Sequence, residues 1–336
     1  AYVGTWCMPA RASMLTGLQQ HNVPSLHMAG PYPGAEYDPN ELKFWPEVFR
    51  ANGYSTGHIG KWHTGTDTGY GRDWDYQYAW LRPEPAPGNA REYYVDQTII
   101  ENGKKIGPVD AYATDNYTDR AIEFIRGQHR DTTKPWYLWL SYTGVHAPFT
   151  PADRHLEEYE GVEIPEPSDL YPPRPGKPGY VDAREQWKRD ENGEPRFVQS
   201  SGLGATLHDG TRQYHQAAIS IDENVGRLMR NLKSTGQLEN TLVVYTSDQG
   251  FAWGQHGFRT KFAPYAANLR VPFIVSMPGK LPQGVVSRSP VGGIDLIPTF
   301  FDYAGIDLPW KMDGRNMRDL LERPEQRWDR PVFLTY

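Results

Sequence analysis

"YHQAAISIDENVGRLMRNLKSTGQ" (residues 214–237), followed by "TLVVYTSD" (241–248), decides the fold class. The first stretch repeats apolar residues at helical spacing and closes at Gly236. The second is a short apolar run of the length and β-branched composition of a buried strand. The same alternation recurs on both sides. "ELKFWPEVFRANG" reads as a helix stopping at Gly53 and feeding the strand "YSTGHIGKWH". "DAYATDNYTDRAIEFIRGQ" reads as a helix feeding "PWYLWLSYT", and "RVPFIVSMPG" as a strand preceding the helix "IDLIPTFFDYAGI". Alternating helices and strands predict a layered α/β fold around a mostly parallel sheet.

The 336 residues, 38% hydrophobic, suffice for one large domain. Their formal net charge of −6 gives no broad basic field, which argues against wrapping a nucleic acid, so any bound anion must meet a local cluster of cations. No apolar run reaches the length of a bilayer span, which predicts no membrane partner. One cysteine excludes an internal disulfide and a cysteine-based zinc site. "LRPEPAPGN" and residues 151–212, above all Ile164 to Pro195, are too rich in proline, glycine and charge for regular elements. They read as surface insertions, with a substrate lid as the alternative. "NYT" at Asn116 matches a glycosylation acceptor but falls in a predicted helix.

Ligands of open α/β sheets gather at the carboxyl ends of strands, where Lys61, His63, His146, Asp248 and Gln249 all fall. In extended chain Lys61 and His63 point to one side, with Trp62 opposite. "GYSTGHIGKWH" is no phosphate loop, because Ser55 and Trp62 stand where that motif needs glycine and a hydroxyl. Asp248 beside the Gln249 amide suits a hard cation with oxygen ligands, although an aspartate before glycine is also ordinary turn chemistry. In "TWCMPARASMLTG" (5–17), a helix beginning near Pro9 puts Cys7 at its amino end, with Arg11 one turn on. Such a thiol is either an activated nucleophile or a small buried hydrophobe.

Taken together these segments resemble the formylglycine-dependent sulfatases of the alkaline phosphatase superfamily. "CMPAR" resembles their CxPxR motif, with Ala10 where many members have serine. "GYSTGHIGKWHTG" is similar to their second motif, and "SDQG" with "GQHG" to their metal strand. "GVHAPF", "RVPFIVSMPG" and "IDLIPTFFDYAGI" match in the same order. The resemblance implies a three-layer sandwich of the alkaline phosphatase type, as a single catalytic domain over 1–336 interrupted by the 151–212 insertion.

It also implies the chemistry. A separate maturation enzyme oxidises Cys7 to formylglycine, whose hydrate supplies the attacking oxygen. Arg11 steadies that hydrate, Lys61 binds it and a sulfate oxygen, and His63 takes the proton that lets the sulfated intermediate collapse. His146 assists the leaving oxygen beside Lys261. Asp248, Gln249 and residue 7 hold a divalent cation, calcium or alternatively magnesium. The aspartate pair that members carry on a first strand has no counterpart before Cys7, so a chain truncated at both ends, with a weak metal site and low activity, is expected. The implied substrate is a sulfated carbohydrate or small sulfate ester, and the implied location is periplasmic or secreted. "DWDYQYAW" after Lys61 is a candidate cleft wall for sugar rings. Two other functions compete: a phosphonate or phosphate ester hydrolase of the same superfamily, and an inactive glycan-binding remnant.

Overall fold

The computed structural model describes residues 1–2, 4, 6–23, 38–65, 67–81, 90–198, 206–261, 263–328 and 331–333. The segment "LRPEPAPGN" therefore lies, from residue 82 on, outside the described residues. The elements run α1 (Cys7–Thr16), α2 (Trp45–Ala51), β1 (Ser55–Lys61), β2 (Tyr76–Trp80), β3 (Gln97–Glu101), β4 (Lys104–Val109), α3 (Ala113–Ile125) and β5 (Trp136–Ser141). They continue with α4 (Gly179–Asp182), β6 (Trp187–Arg189), β7 (Pro195–Phe197), α5 (Leu207–Ser234), β8 (Val243–Thr246), β9 (Ala252–Trp253) and β10 (Arg259–Thr260). The last are α6 (Ala266–Leu269), β11 (Phe273–Ser276), α7 (Leu296–Ala304) and α8 (Arg318–Glu322).

The main sheet has the order β4-β3-β2-β1-β5. β1 pairs in parallel with both β2 and β5, as the helix–strand alternation predicts. The outer half departs from the expected mostly parallel sheet, because β3 is antiparallel to both β2 and β4. For β3 and β4 the cause is a hairpin at Asn102-Gly103, both at positive φ, the pairing that a two-residue turn requires. β8 pairs with β11 in a separate antiparallel pair. Among the described strands β5 and β8 are each paired along one edge only, and residues of both line a cavity of about 1470 Å³.

Aromatic packing covers both faces of the main sheet. Trp80, Tyr78, Tyr76, Tyr117 and Phe124 fill one cluster. Phe44, Trp62 and Trp74 join α1 residues Met8, Ala12 and Leu15 in a second. The "DWDYQYAW" stretch is thus core: Trp74, Tyr76, Tyr78 and Trp80 are fully buried, which overturns its reading as a cleft wall. Asn116 lies on α3, where its side-chain oxygen accepts from the Tyr78 hydroxyl at 2.8 Å, so the acceptor triplet is used in packing.

The insertion is less irregular than its prolines suggest. It contains α4 and the β6–β7 hairpin, and its last residues belong to α5, which starts at Leu207 with Thr206 capping the Asp209 amide. Buried Arg174 organises it, donating to the carbonyls of Asp169, Leu170, Val181, Asp182 and Arg184.

One glycine sets the approach of β1 to β5. Gly60 has φ 103°, and a Cβ there would stand 2.1 Å from the Ser141 carbonyl oxygen. Gly60→Ala is expected to cost roughly 3 kcal/mol, combining backbone strain with overpacking. It should also lower activity by displacing Lys61 and Ser141. Thermal melts and kcat/KM measured together check this, and unchanged values for both would refute it.

Candidate active site

α1 begins at Cys7, two residues earlier than the sequence suggests, with extended Trp6 ahead of it. Cys7 is therefore at the positive end of the helix dipole and is 1% exposed. Its sulfur accepts from the Lys261 ammonium at 2.9 Å. Arg11 lies one turn on and is 5% exposed. Its guanidinium donates to the Trp62 carbonyl at 2.9 Å, to the Lys61 carbonyl, and to the Ser141 hydroxyl at 3.0 Å. It also pairs with Asp248 at 3.6 Å and lies over the Trp139 ring. One side chain thus ties together the carboxyl ends of β1, β5 and β8.

Lys61 ends β1 and is 4% exposed. Burial pulls its ammonium below the ordinary lysine range; Cys7 and Asp248 act to raise it, and Lys261 and Arg11 to lower it further. These five groups share one electrostatic field. Below them His58 sits among Trp62, Trp74 and Trp139, and burial, helped by Arg11, lowers its pKa to about 3, so it is a neutral core residue.

His146 follows β5 by five residues. Its Nδ1 donates to the Ala147 carbonyl at 2.7 Å, which turns Nε2 toward Lys261 Nζ at 3.4 Å. Tyr93 stacks on its ring with centroids 4.1 Å apart and planes 9° off parallel.

Asp248 and Gln249 follow β8. The Gln249 side-chain oxygen is buried with no hydrogen-bond partner, and the Asp248 side chain is 20% exposed. Both line the cavity that also exposes Cys7, Arg11, Lys61, His146 and Lys261. An orphaned amide oxygen beside a carboxylate fits a hard cation. The described residues contain no cluster of three or more His, Cys, Asp or Glu able to hold a metal.

Asn268, 1% exposed, joins the two loops that carry these groups. Its carbonyl accepts from the Gly250 amide at 2.9 Å, and its side-chain amide donates to the Thr260 carbonyl at 2.6 Å. Thr260 has φ 78°, unusual for a β-branched residue, immediately before Lys261.

The cavity therefore gathers seven of the eight candidate residues. His63 is the eighth. β1 ends at Lys61, and His63 lies past it with φ 59°, 1% exposed, and is not among the cavity's lining side chains. The extended chain on which Lys61 and His63 were expected to project to one side does not run through His63, since β1 ends at Lys61 and His63 has φ 59°. Sequence reasoning missed Ser141, Trp139, Tyr93 and Asn268, whose partners are distant in the chain.

A sequence model of the family described as Sulfatase matches residues 1–306. The chain is 28% identical over 379 residues to the N-acetylglucosamine-6-O-sulfatase of Bacteroides thetaiotaomicron, covering 98% of this chain and 65% of that protein. It is 31% identical over 336 residues to the extracellular sulfatase SULF-1 homolog of Drosophila melanogaster, covering 96% of this chain and 28% of that one. The chain thus spans less than two thirds of the length of either relative. A solved structure described as a complex with its substrate D-glucosamine-2-N,6-O-disulfate superposes with a TM-score of 0.77 at 25% identity, covering 98% of this chain and 73% of that one. Strand ends converging on a buried cysteine, in a chain matched over most of its length by one family, carry a single conclusion: the protein belongs to the sulfatase family.

Proposed function

We propose that the protein hydrolyses a sulfate ester, on a sulfated carbohydrate, with residues 1–336 acting as one catalytic domain. The observation that carries this is the concentration of Arg11, Lys61 and Lys261 around Cys7 in a chain of formal net charge −6. Three cations against Asp248 make a local anion trap in an otherwise acidic protein. The names of the similar proteins support a sugar substrate, N-acetylglucosamine 6-sulfate among them. The extracellular relative supports a periplasmic or secreted location, and no helix among the described residues is long and apolar enough to cross a membrane.

Residue 7, converted by a maturation enzyme to formylglycine, supplies a hydrated aldehyde as nucleophile. Asp248 and Gln249 would hold a divalent cation, calcium, which would supply positive charge to the sulfate oxygens. The remaining work belongs to side chains. Lys61 and Lys261 are fixed before substrate arrives, so they stabilise charge building on the sulfate without reorganising. Arg11 neutralises Asp248 and locks the three strand ends. As the imidazolium, with its Nδ1 proton committed to the Ala147 carbonyl, His146 presents the second proton, on Nε2, to the leaving oxygen and is left neutral. His63 remains a candidate base for release of sulfate from residue 7.

The test compares 4-nitrophenyl sulfate, 4-nitrophenyl phosphate and N-acetylglucosamine 6-sulfate as substrates. Sulfates are expected to be turned over at least about a hundredfold faster than the phosphate, a difference of about 2.7 kcal/mol in barrier. A preference for the phosphate would assign the protein to phosphoryl transfer. Chelation is expected to lower kcat by about tenfold or more, with calcium restoring it. Activity indifferent to chelator would remove the metal from the scheme.

A further inference from the structure

We propose that Tyr93 is a positioning residue for His146, holding the imidazole where Nε2 meets the leaving oxygen. This rests on the reading of His146 as the group that protonates that oxygen. Tyr93 closes a short helical turn over residues 90–93 and is 7% exposed. It lies between two rings. On one side its face covers the His146 imidazole at 4.1 Å, nearly parallel. On the other it meets Trp80 edge-on at 4.8 Å. Trp80 is fully buried at the end of β2, in register with Lys61, and its carbonyl accepts from the Trp62 amide at 3.0 Å. The stack therefore refers the position of His146 to the strand end that sets Lys61.

The next residue fixes the backbone of the same histidine. Tyr94, fully buried, donates its hydroxyl to the His146 carbonyl at 2.5 Å. Between them the two tyrosines and the Nδ1 contact with Ala147 restrict translation of the backbone and rotation of the ring, and they commit one proton of the imidazolium to Ala147, so that the proton on Nε2 is the one transferred. The flat face is what a stack requires, so phenylalanine should replace Tyr93 and an unbranched aliphatic side chain should not. A proton donor misplaced by about an ångström loses much of its advantage.

The loss is confined to substrates that need the proton. 4-Nitrophenolate leaves without help, whereas a sugar alkoxide does not. In the full chain with matured residue 7, Tyr93→Met is expected to lower kcat on N-acetylglucosamine 6-sulfate about tenfold. The rate on 4-nitrophenyl sulfate should stay within about twofold, and KM should change little for either. Tyr93→Phe is expected to match wild type on both. His146→Ala is the reference: it should show the same selectivity, more strongly. If His146→Ala is selective but Tyr93→Met slows both substrates equally or neither, the positioning role is wrong and the role of His146 stands. If His146→Ala itself slows both equally, the proton-donor reading falls and this proposal with it. A Tyr93→Met protein that no longer folds, or a Tyr93→Phe protein as impaired as Tyr93→Met, would also overturn it, assigning Tyr93 to the core or to its hydroxyl.

Discussion

Cys7→Ser is expected to lower kcat on sulfate esters by about 10⁴ or more, with little change in stability. The substitution exchanges sulfur for oxygen in a side chain that is 1% exposed and contacts the Lys261 ammonium at 2.9 Å. It creates almost no cavity, and serine still accepts from the lysine. What disappears is chemical: a maturation enzyme that oxidises a thiol leaves serine as a hydroxyl, and a hydroxyl that captured sulfate would have no second oxygen with which to expel it. Burst kinetics with 4-nitrophenyl sulfate should show at most one turnover, and the melting temperature should match wild type. Mass spectrometry of the peptide spanning residue 7 in native protein should find the aldehyde form. An unmodified thiol in a protein of full activity, or a serine variant with normal turnover, would sink the mechanism.

Arg11→Met is expected to damage both fold and catalysis. The guanidinium satisfies the Trp62 and Lys61 carbonyls and the Ser141 hydroxyl and pairs with Asp248, all with 5% of the residue exposed. Methionine keeps most of the packing over Trp139 but leaves those acceptors and the Asp248 charge uncompensated. Breaking a buried pair of this kind costs about 3–5 kcal/mol. For a chain of this length that lowers Tm by roughly 4–7 °C. The rate should fall about 10²–10³-fold as Lys61 and Asp248 lose their shared anchor. Arg11→Lys should recover little, because an ammonium cannot serve three acceptors in the plane of a guanidinium. Adding Asp248→Asn to Arg11→Met should recover part of the stability and none of the activity, and strict additivity of the two changes would argue against the pairing.

The inner half of the fold was legible because α3–β5 and α5–β8 combine a helical period, a closing glycine and an apolar run, three local signals that agree. β3 and β4 were passed over although Asn102-Gly103 announces the turn: Lys104, Lys105 and Pro108 give β4 no apolar alternation. Seven of the eight candidate residues named from motifs line one cavity. For His63 the spacing argument assumes an extended chain that does not continue through a residue whose φ is 59°. Ser141, Tyr93 and Asn268 escaped because their roles arise from partners 130, 53 and 8 positions away, brought together only by folding.

The one-sided pairing of β5 and β8 has a consequence for the life of the molecule. Peptide N–H and C=O groups left along a strand recruit other backbone with little regard for side chains. Residues of both strands line one hollow, so an extended segment that paired along either edge would cover part of its wall.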